Sequence, residues 1–283
     1  MRIGLFISED QKYDCLADLI TQFGDEIVGY SSIRPNSDLS SKLNYEPYPI
    51  ELLAGCDTAI VYPAQGVWAE VPRAAIRRGI NLYLADLPSY SKHSLVELQN
   101  LLQEIKVSVE FGFSGLYLND YLQDINLPNE SIFVDFRRDL SKNSDFSLLK
   151  RTLIFDLATM LRINLLTIKK VRVFSLPLRS TDYTVLNVRI EFANGSTYCY
   201  TINRLSKEDS ISLNIYGNQA QHQIIIKPNG TIILGDNKLT TNTPISFVNQ
   251  IKSGGEPNFS VDKAIELYRL YDEINEKLAM FSA

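Results

Sequence analysis

Short, mostly apolar runs alternate with amphipathic stretches through the first third of the chain. RIGLFIS, EIVGYSS, TAIVYP, INLYLA and VSVEFGF are the runs; between them lie segments with apolar residues three and four apart, one reaching Phe23, one around PIELLAG, one through VPRAAIRRG and one through SLVELQNLLQEI. A strand that is apolar on both sides needs cover on both faces, and the intervening helices supply it. The repeated strand–helix unit therefore predicts a doubly wound α/β domain with a parallel sheet.

Beyond residue 126 the pattern changes. IFVDFRRDL reads as a strand and SLLKRTLIFDLATMLRI as a helix, after which strand signals dominate from residue 169 to about residue 234. YTVLNVRIEFANGSTYCYTINRL is two alternating runs joined at Ala193, Asn194 and Gly195, a hairpin signal because Asn and Gly accept the positive φ of tight turns. KPNGTIIL repeats the device at Asn229 and Gly230. SVDKAIELYRLYDEINEKLAMF closes the chain as an amphipathic helix with Ser260 as its N-cap. These signals predict an α+β domain with an open, mainly antiparallel sheet over residues 119–283, after a nucleotide-binding-like Rossmann domain over residues 1–118; the final helix is free to pack back on the first.

Composition narrows the function classes. The 283 residues are 45% hydrophobic and 22% charged, with a net charge of -5 and a pI near 5.2. That is an ordinary globular balance, and its sign argues against nucleic acid and anionic membranes as partners. No basic segment precedes an apolar signal core and no apolar run approaches the ~20 residues of a membrane span, so a cytoplasmic location is expected. Cys15, Cys56 and Cys199 are too few and too scattered for a disulfide framework or a metal knuckle. HExxH, GxSxG and P-loop motifs are absent, and no metal is expected.

Four stretches carry a more specific signal. LLAGCDTAIVYPAQGVWAEVPRAAIRRGINLYLADLPSYSKHSLVELQNLL, DLATML, FANGST and FVNQIKSGGEPNFSVDKAIELYRLYDEI occur in this order. Together they resemble the glucose-fructose oxidoreductase and inositol dehydrogenase family (Gfo/Idh/MocA) over nearly the whole chain, with Tyr62-Pro63 standing for its Thr-Pro and Asp86-Leu87-Pro88 for its Glu-Lys-Pro. The resemblance implies a Rossmann domain, then a domain whose open sheet face makes a dimer contact. It also implies hydride transfer between a nicotinamide and a sugar-like alcohol, with a protein group accepting the proton.

The residues depart from that chemistry at three places. In place of the glycine loop that lets a pyrophosphate reach a helix N-terminus stands ISEDQK, with no glycine between Leu5 and Phe23. Ser8 and Gln11 fit a capping box, and Glu9 and Asp10 suit the positive helix end while repelling a diphosphate. An ordinary capped helix is one reading; a nucleotide held in an altered geometry is the other. At the end of the second strand, where an acid normally holds the ribose, stand Tyr30, Ser31, Ser32 and then Arg34, a pattern that suits a 2′-phosphate and so NADP. Arg34 also reads simply as a solvated loop charge.

The acid–base set departs as well. Leu87 occupies the lysine position, and aligning Asp156 with the family's His-x-x-Asp puts Leu153 at the histidine and Leu149 at the earlier aspartate; a shifted register puts Phe155 at the histidine. His93 and His222 are the chain's histidines, and both read as capping or surface residues. Asp86 reads as a structural hydrogen-bonding group, Trp68 either fills the cofactor space or packs its helix, and Tyr62, Tyr83 and Tyr90 are packing aromatics that can also line a cleft. The expectation is a protein without dehydrogenase chemistry that binds a sugar-like metabolite or a protein partner, as a homodimer through the C-terminal sheet and without a cofactor. If any nucleotide binds, it is NADP, at the vestigial positions Ser8, Glu9, Ser32, Arg34, Tyr62, Pro63 and Asp86. The alternatives are an active NAD(P)-dependent sugar oxidoreductase with Tyr62 or Tyr90 as base, and a structural subunit of a larger assembly.

Overall fold

In a computed structural model the structure describes residues 1–7, 14–62, 70–85, 87–112, 131–141, 147–163, 167–176, 184–217, 221–226, 232–234, 237–239, 243–257 and 259–280. The apolar runs of the first third form strands β1 (Ile3–Phe6), β2 (Ile27–Ser31), β3 (Thr58–Val61), β4 (Asn81–Leu84) and β5 (Val109–Phe111). They pair in parallel in the order β2-β1-β3-β4-β5. Tyr30 of β2 forms one further parallel bridge, with Tyr45, so the place of a sixth strand is marked by a single residue pair. Counted with that bridge, the order is the Rossmann order, with the strand reversal falling between β1 and β3.

Helices α1 (Asp14–Phe23), α2 (Ser37–Ser40), α3 (Pro49–Ala54), α4 (Val71–Arg77) and α5 (Lys92–Glu104) connect these strands. Leu16, Leu19 and Phe23 of α1 join Ile3, Leu5 and Ile7 in one buried cluster, and the longer helices α3, α4 and α5 also bury apolar residues. The chain divides into two compact units, Met1–Tyr117 with Asn242–Glu266, and Leu118–Thr241 with Leu267–Ala283. Two contacts explain why a late segment belongs with the first unit. Phe247 and Val248 of helix α6 (Thr243–Ser253) lie in the same buried cluster, and the Phe259 carbonyl accepts a hydrogen bond from the Phe111 amide at 3.0 Å. Lys252 adds an ion pair with Glu26 and stands 4.6 Å over the Phe23 ring. The Lys252 hydrogen bond holds the Glu26 carboxyl below its ordinary range.

In the second unit, strands β6 (Phe133–Ser141), β7 (Ile168–Leu176), β8 (Val185–Phe192), β9 (Thr197–Ser206), β10 (Ser210–Tyr216), β11 (Gln221–Ile226), β12 (Ile232–Leu234) and β13 (Asn237–Leu239) form one sheet. Its order is β13-β12-β11-β10-β6-β9-β8-β7, antiparallel except for the parallel pair β6/β9. The predicted hairpin joins β8 to β9: Gly195 takes φ +86°, and Asn194 Oδ1 accepts the Ser196 amide at 3.0 Å. Asn229 and Gly230 lie outside the described residues, while β11 and β12, on either side of them, pair antiparallel. Alternation splits the sheet by face. Tyr198, Tyr200 and Ile202 point inward and are fully buried, whereas Thr197, Cys199 and Thr201 lie on the other face and are only half-buried.

A helix between β6 and β7, Ser147–Ile163, here α7, covers the inward face; α8 (Val261–Met280) divides between the two units. Ser260 caps α8 as predicted, accepting the Lys263 amide at 3.4 Å. Within the second unit, Lys277 of α8 donates to the Val171 carbonyl at 2.6 Å, satisfying a backbone acceptor of the edge strand β7. Among the described residues no helix is long and apolar enough to cross a membrane, and no cluster of histidine, cysteine and acidic side chains is built to hold a metal ion. Cys56 is buried and its thiol is pushed up to about 12 by desolvation, which makes it inert near neutral pH.

Candidate functional site

In a Rossmann unit the cofactor's ribose rests where the second strand ends, and there a described residue can be compared with what the ligand needs. Strand β2 ends on Tyr30 and Ser31, both fully buried, and Ser32 follows at 6% exposure. The Tyr30 hydroxyl accepts the Asn36 amide at 3.0 Å and lies 2.6 Å from Ser40 Oγ and 3.1 Å from the Asn36 carbonyl. Asn36 in turn caps α2, its Oδ1 accepting the amides of Asp38 and Leu39 at 3.0 and 3.1 Å. Ser32 Oγ donates to the Arg34 carbonyl, and the Tyr45 hydroxyl donates to the Ser32 carbonyl at 3.0 Å. The Ser31 hydroxyl makes no hydrogen bond among the described residues and has no solvent contact.

The backbone here is closed as tightly as the side chains. Tyr30 exchanges hydrogen bonds with the strip beyond it, its amide donating to Asn44 and its carbonyl accepting from Glu46, each at 2.9 Å. A Cβ at Gly29 would lie 2.8 Å from the Asn44 carbonyl oxygen, so only glycine permits that approach. A ribose needs a carboxylate or an accessible hydroxyl at this point. Both serines are enclosed and Ser32 is bonded to its own loop, so the described residues do not match that requirement; Arg34 lies exposed on the same loop.

Other predicted positions fall as follows. Ser8, Glu9, Asp10, Gln11, Pro63, Trp68 and Asp86 lie outside the described residues. Leu87 begins a 3-10 turn, Leu87–Ser89, and is fully buried. Leu153 and Leu149, the positions aligned with the family's histidine and aspartate, are 2% and 5% exposed, and Phe155 is 8% exposed. Tyr62 and Tyr83 are buried; the Tyr83 ring packs against Phe247 at 5.6 Å between centroids, and Tyr90 stands edge-on to Phe111 at the same separation. His93 sits on the surface of α5 with 85% of its side chain exposed, 3.5 Å from Glu97 one turn on. His222 lies on β11 opposite Ile215.

The second unit holds a polar cluster that the sequence reading saw only in part. Asp156 of α7 is fully buried, paired through both carboxylate oxygens with the Arg138 guanidinium of β6, and accepts the Tyr200 hydroxyl of β9 at 2.6 Å. Burial pushes the Asp156 carboxyl upward, while Arg138 and Tyr200 oppose the rise by stabilising the carboxylate. Two planar groups and a phenol satisfy one another here, so the cluster locks helix to sheet and presents no free acid or base. The signal for it was alternation: Val134, Phe136 and Arg138 share the inward parity of β6, and an arginine in that set requires a buried partner.

No family model and no curated protein matches the chain. Solved structures do. The UDP-N-acetylglucosamine 3-dehydrogenase GnnA from Acidithiobacillus ferrooxidans aligns over 100% of this chain and 99% of its own at a TM-score of 0.75 and 12% identity. A levoglucosan dehydrogenase in complex with NADH and L-sorbose covers 100% and 97% at 0.70 and 13%. The myo-inositol dehydrogenase from Lactobacillus casei, in complex with NAD(H) and myo-inositol, covers 98% and 94% at 0.69 and 11%. Identity at this level speaks to architecture, and the likeness runs through both units. The chain has the fold of the Gfo/Idh/MocA-type dehydrogenases.

Proposed function

We propose that this chain keeps the dehydrogenase fold without its hydride-transfer chemistry and works by binding a sugar-like metabolite or a protein partner. The observation that supports the reading best is the complete burial of Leu87 at the position where the resemblance calls for a lysine. A leucine neither accepts nor donates a proton, and a positioned acid–base group contributes about 10²–10⁴-fold to rate. Leu153 and Leu149 extend the loss to the aligned histidine and aspartate, and the chain's two histidines stand elsewhere. The sugar class is suggested by the fold neighbours, whose bound ligands include myo-inositol and L-sorbose.

The test is a paired measurement on one panel of free sugars, inositols and nucleotide-linked sugars. Incubation with NAD or NADP is expected to yield no reduced cofactor above the blank, while calorimetric titration without cofactor yields saturable heat for at least one member. Cofactor reduction would instead favour an NAD(P)-dependent sugar oxidoreductase with Tyr62 or Tyr90 as its base. The same proposal includes a homodimer through the open sheet face of the second unit. Phe133 and Tyr216 lie exposed on that sheet, 5.8 Å apart between centroids, and Phe174, Leu176 and Leu205 are exposed with them. Light scattering is expected to give about twice the 32.1 kDa chain mass; a monomer mass contradicts the pairing.

A further inference from the structure

We infer that the loop leaving β2 is a knot sealed on Tyr30, and that the Rossmann unit therefore has no seat for an adenosine ribose and takes neither NAD nor NADP. The inference deepens the proposed loss of dehydrogenase chemistry but stands on different residues, since a protein can hold a dinucleotide without turning it over.

Tyr30 is the centre of the closure. Its ring is fully buried and packs on Tyr45 with centroids 5.3 Å apart, and its hydroxyl fastens the far end of the following loop and the helix after it, through the Asn36 backbone and Ser40, the cap and last residue of α2. Asn36 then spends its side chain on the amides that open α2. The groups the ribose pattern would use are consumed in the same way: Ser32 Oγ bonds the Arg34 carbonyl, and Ser31 is enclosed. To admit a ribose the loop must give up the Tyr30 and Ser32 bonds together, and nothing among the described residues replaces them. The exposed Arg34 could meet a 2′-phosphate, but a surface guanidinium screened by solvent is a weak anchor once the ribose is excluded.

The experiment has two arms on the full chain. In the first, NADH and NADPH are titrated by nicotinamide fluorescence and by calorimetry, alongside the variants Ser32→Ala and Arg34→Ala. No saturation up to millimolar concentration is expected for the wild-type chain. Saturable binding weakened about tenfold or more by either variant overturns the inference, because it places the ligand on this loop; binding unaffected by both variants also overturns it, because the unit then takes a dinucleotide by another route. In the second arm, amide hydrogen exchange compares the wild type with Tyr30→Phe and Ser40→Ala. The Asn36 amide is expected to exchange about tenfold faster in Tyr30→Phe, with β2 amides unchanged and a smaller effect in Ser40→Ala. Equal Asn36 protection in all three proteins overturns the role given to Tyr30. Dinucleotide binding without turnover removes this inference and leaves the proposed function standing; turnover removes the proposed function itself.

Discussion

Replacing Leu87 by lysine lowers the stability of the folded chain by about 4–5 kcal/mol at neutral pH, because documented buried lysines are shifted by about 3–5 pKa units, each unit is worth about 1.36 kcal/mol, and only the part of the shift lying between about pH 7 and the unfolded value counts there. Leu87 has no solvent contact, so the new ammonium must either lose its proton or draw water into the turn. The sign of the pH dependence follows from the same shift. The folded lysine has a depressed pKa, so between that value and the unfolded value of about 10.4 the unfolded chain holds a proton that the folded chain lacks. Stability then rises with pH, and the deficit relative to wild type shrinks as pH approaches about 10. Leu87→Met, which conserves volume and polarity, costs under about 1.5 kcal/mol. Urea unfolding at pH 7 and pH 9.5 reads both effects. A lysine tolerated at a cost below about 1 kcal/mol would mean that the position opens onto water, as a catalytic lysine must, and the account of Leu87 as a core residue would fail.

Asp156→Ala is the second large effect, with an expected loss of about 3–5 kcal/mol from the second unit, since breaking one side of a buried ion pair strands its partner charge. Here the stranded groups are the Arg138 guanidinium, whose side chain is 15% exposed, and the Tyr200 hydroxyl. Replacing both charges, Arg138→Met with Asp156→Leu, is expected to recover most of the loss, because buried pairs are often matched by apolar residues of similar volume. The chain has two compact units, so the quantity to follow is the second unit's own urea transition, not one global midpoint. Equal destabilisation in the single and double variants would show that the pair supplies more than mutual neutralisation. A loss below about 1 kcal/mol in Asp156→Ala would place the carboxylate in contact with solvent.

Much of the architecture was legible because it is written in local periodicity. IGLF is apolar at every position and TAIV at all but Thr58, as suits strands buried on both faces, and both became fully buried strands of the parallel sheet. The helix read over SLLKRTLIFDLATMLRI is α7, residue for residue, and the Asn194-Gly195 turn took the positive φ that its composition announced. What periodicity cannot supply is the partner of a face. The amphipathic segment of α6 gives no hint that Phe247 and Val248 return to the first unit's core, a contact made over more than two hundred residues of chain. The bridge between Tyr30 and Tyr45 is too short to leave a pattern at all.

The candidate site was legible as a set of substitutions and much less so as a set of contacts. Leu87, Leu153 and Leu149 stand out as apolar residues at aligned acid–base positions, and each is buried. Ser32 and Arg34 read as vestigial positions that would meet a ligand only if a nucleotide bound, with Arg34 also a solvated loop charge, and the Ser32 hydroxyl bonds the Arg34 carbonyl. That contact depends on where Tyr30, Asn36 and Ser40 meet, which is a property of loop geometry and not of residue type. Asp156 was visible through the resemblance, whereas its partners Arg138 and Tyr200 lie 18 and 44 residues away along the chain and meet it only across the sheet.

Hydride transfer itself is the most direct thing to measure, and a single-turnover experiment with protein in excess of nicotinamide reads it without being blinded by a slow product. Mixed rapidly with NADP and each sugar of the panel, and separately with NADPH and the corresponding oxidised sugars, the protein is expected to leave the absorbance at 340 nm flat. A change amounting to a full equivalent of the limiting cofactor, with any one sugar, would contradict the account.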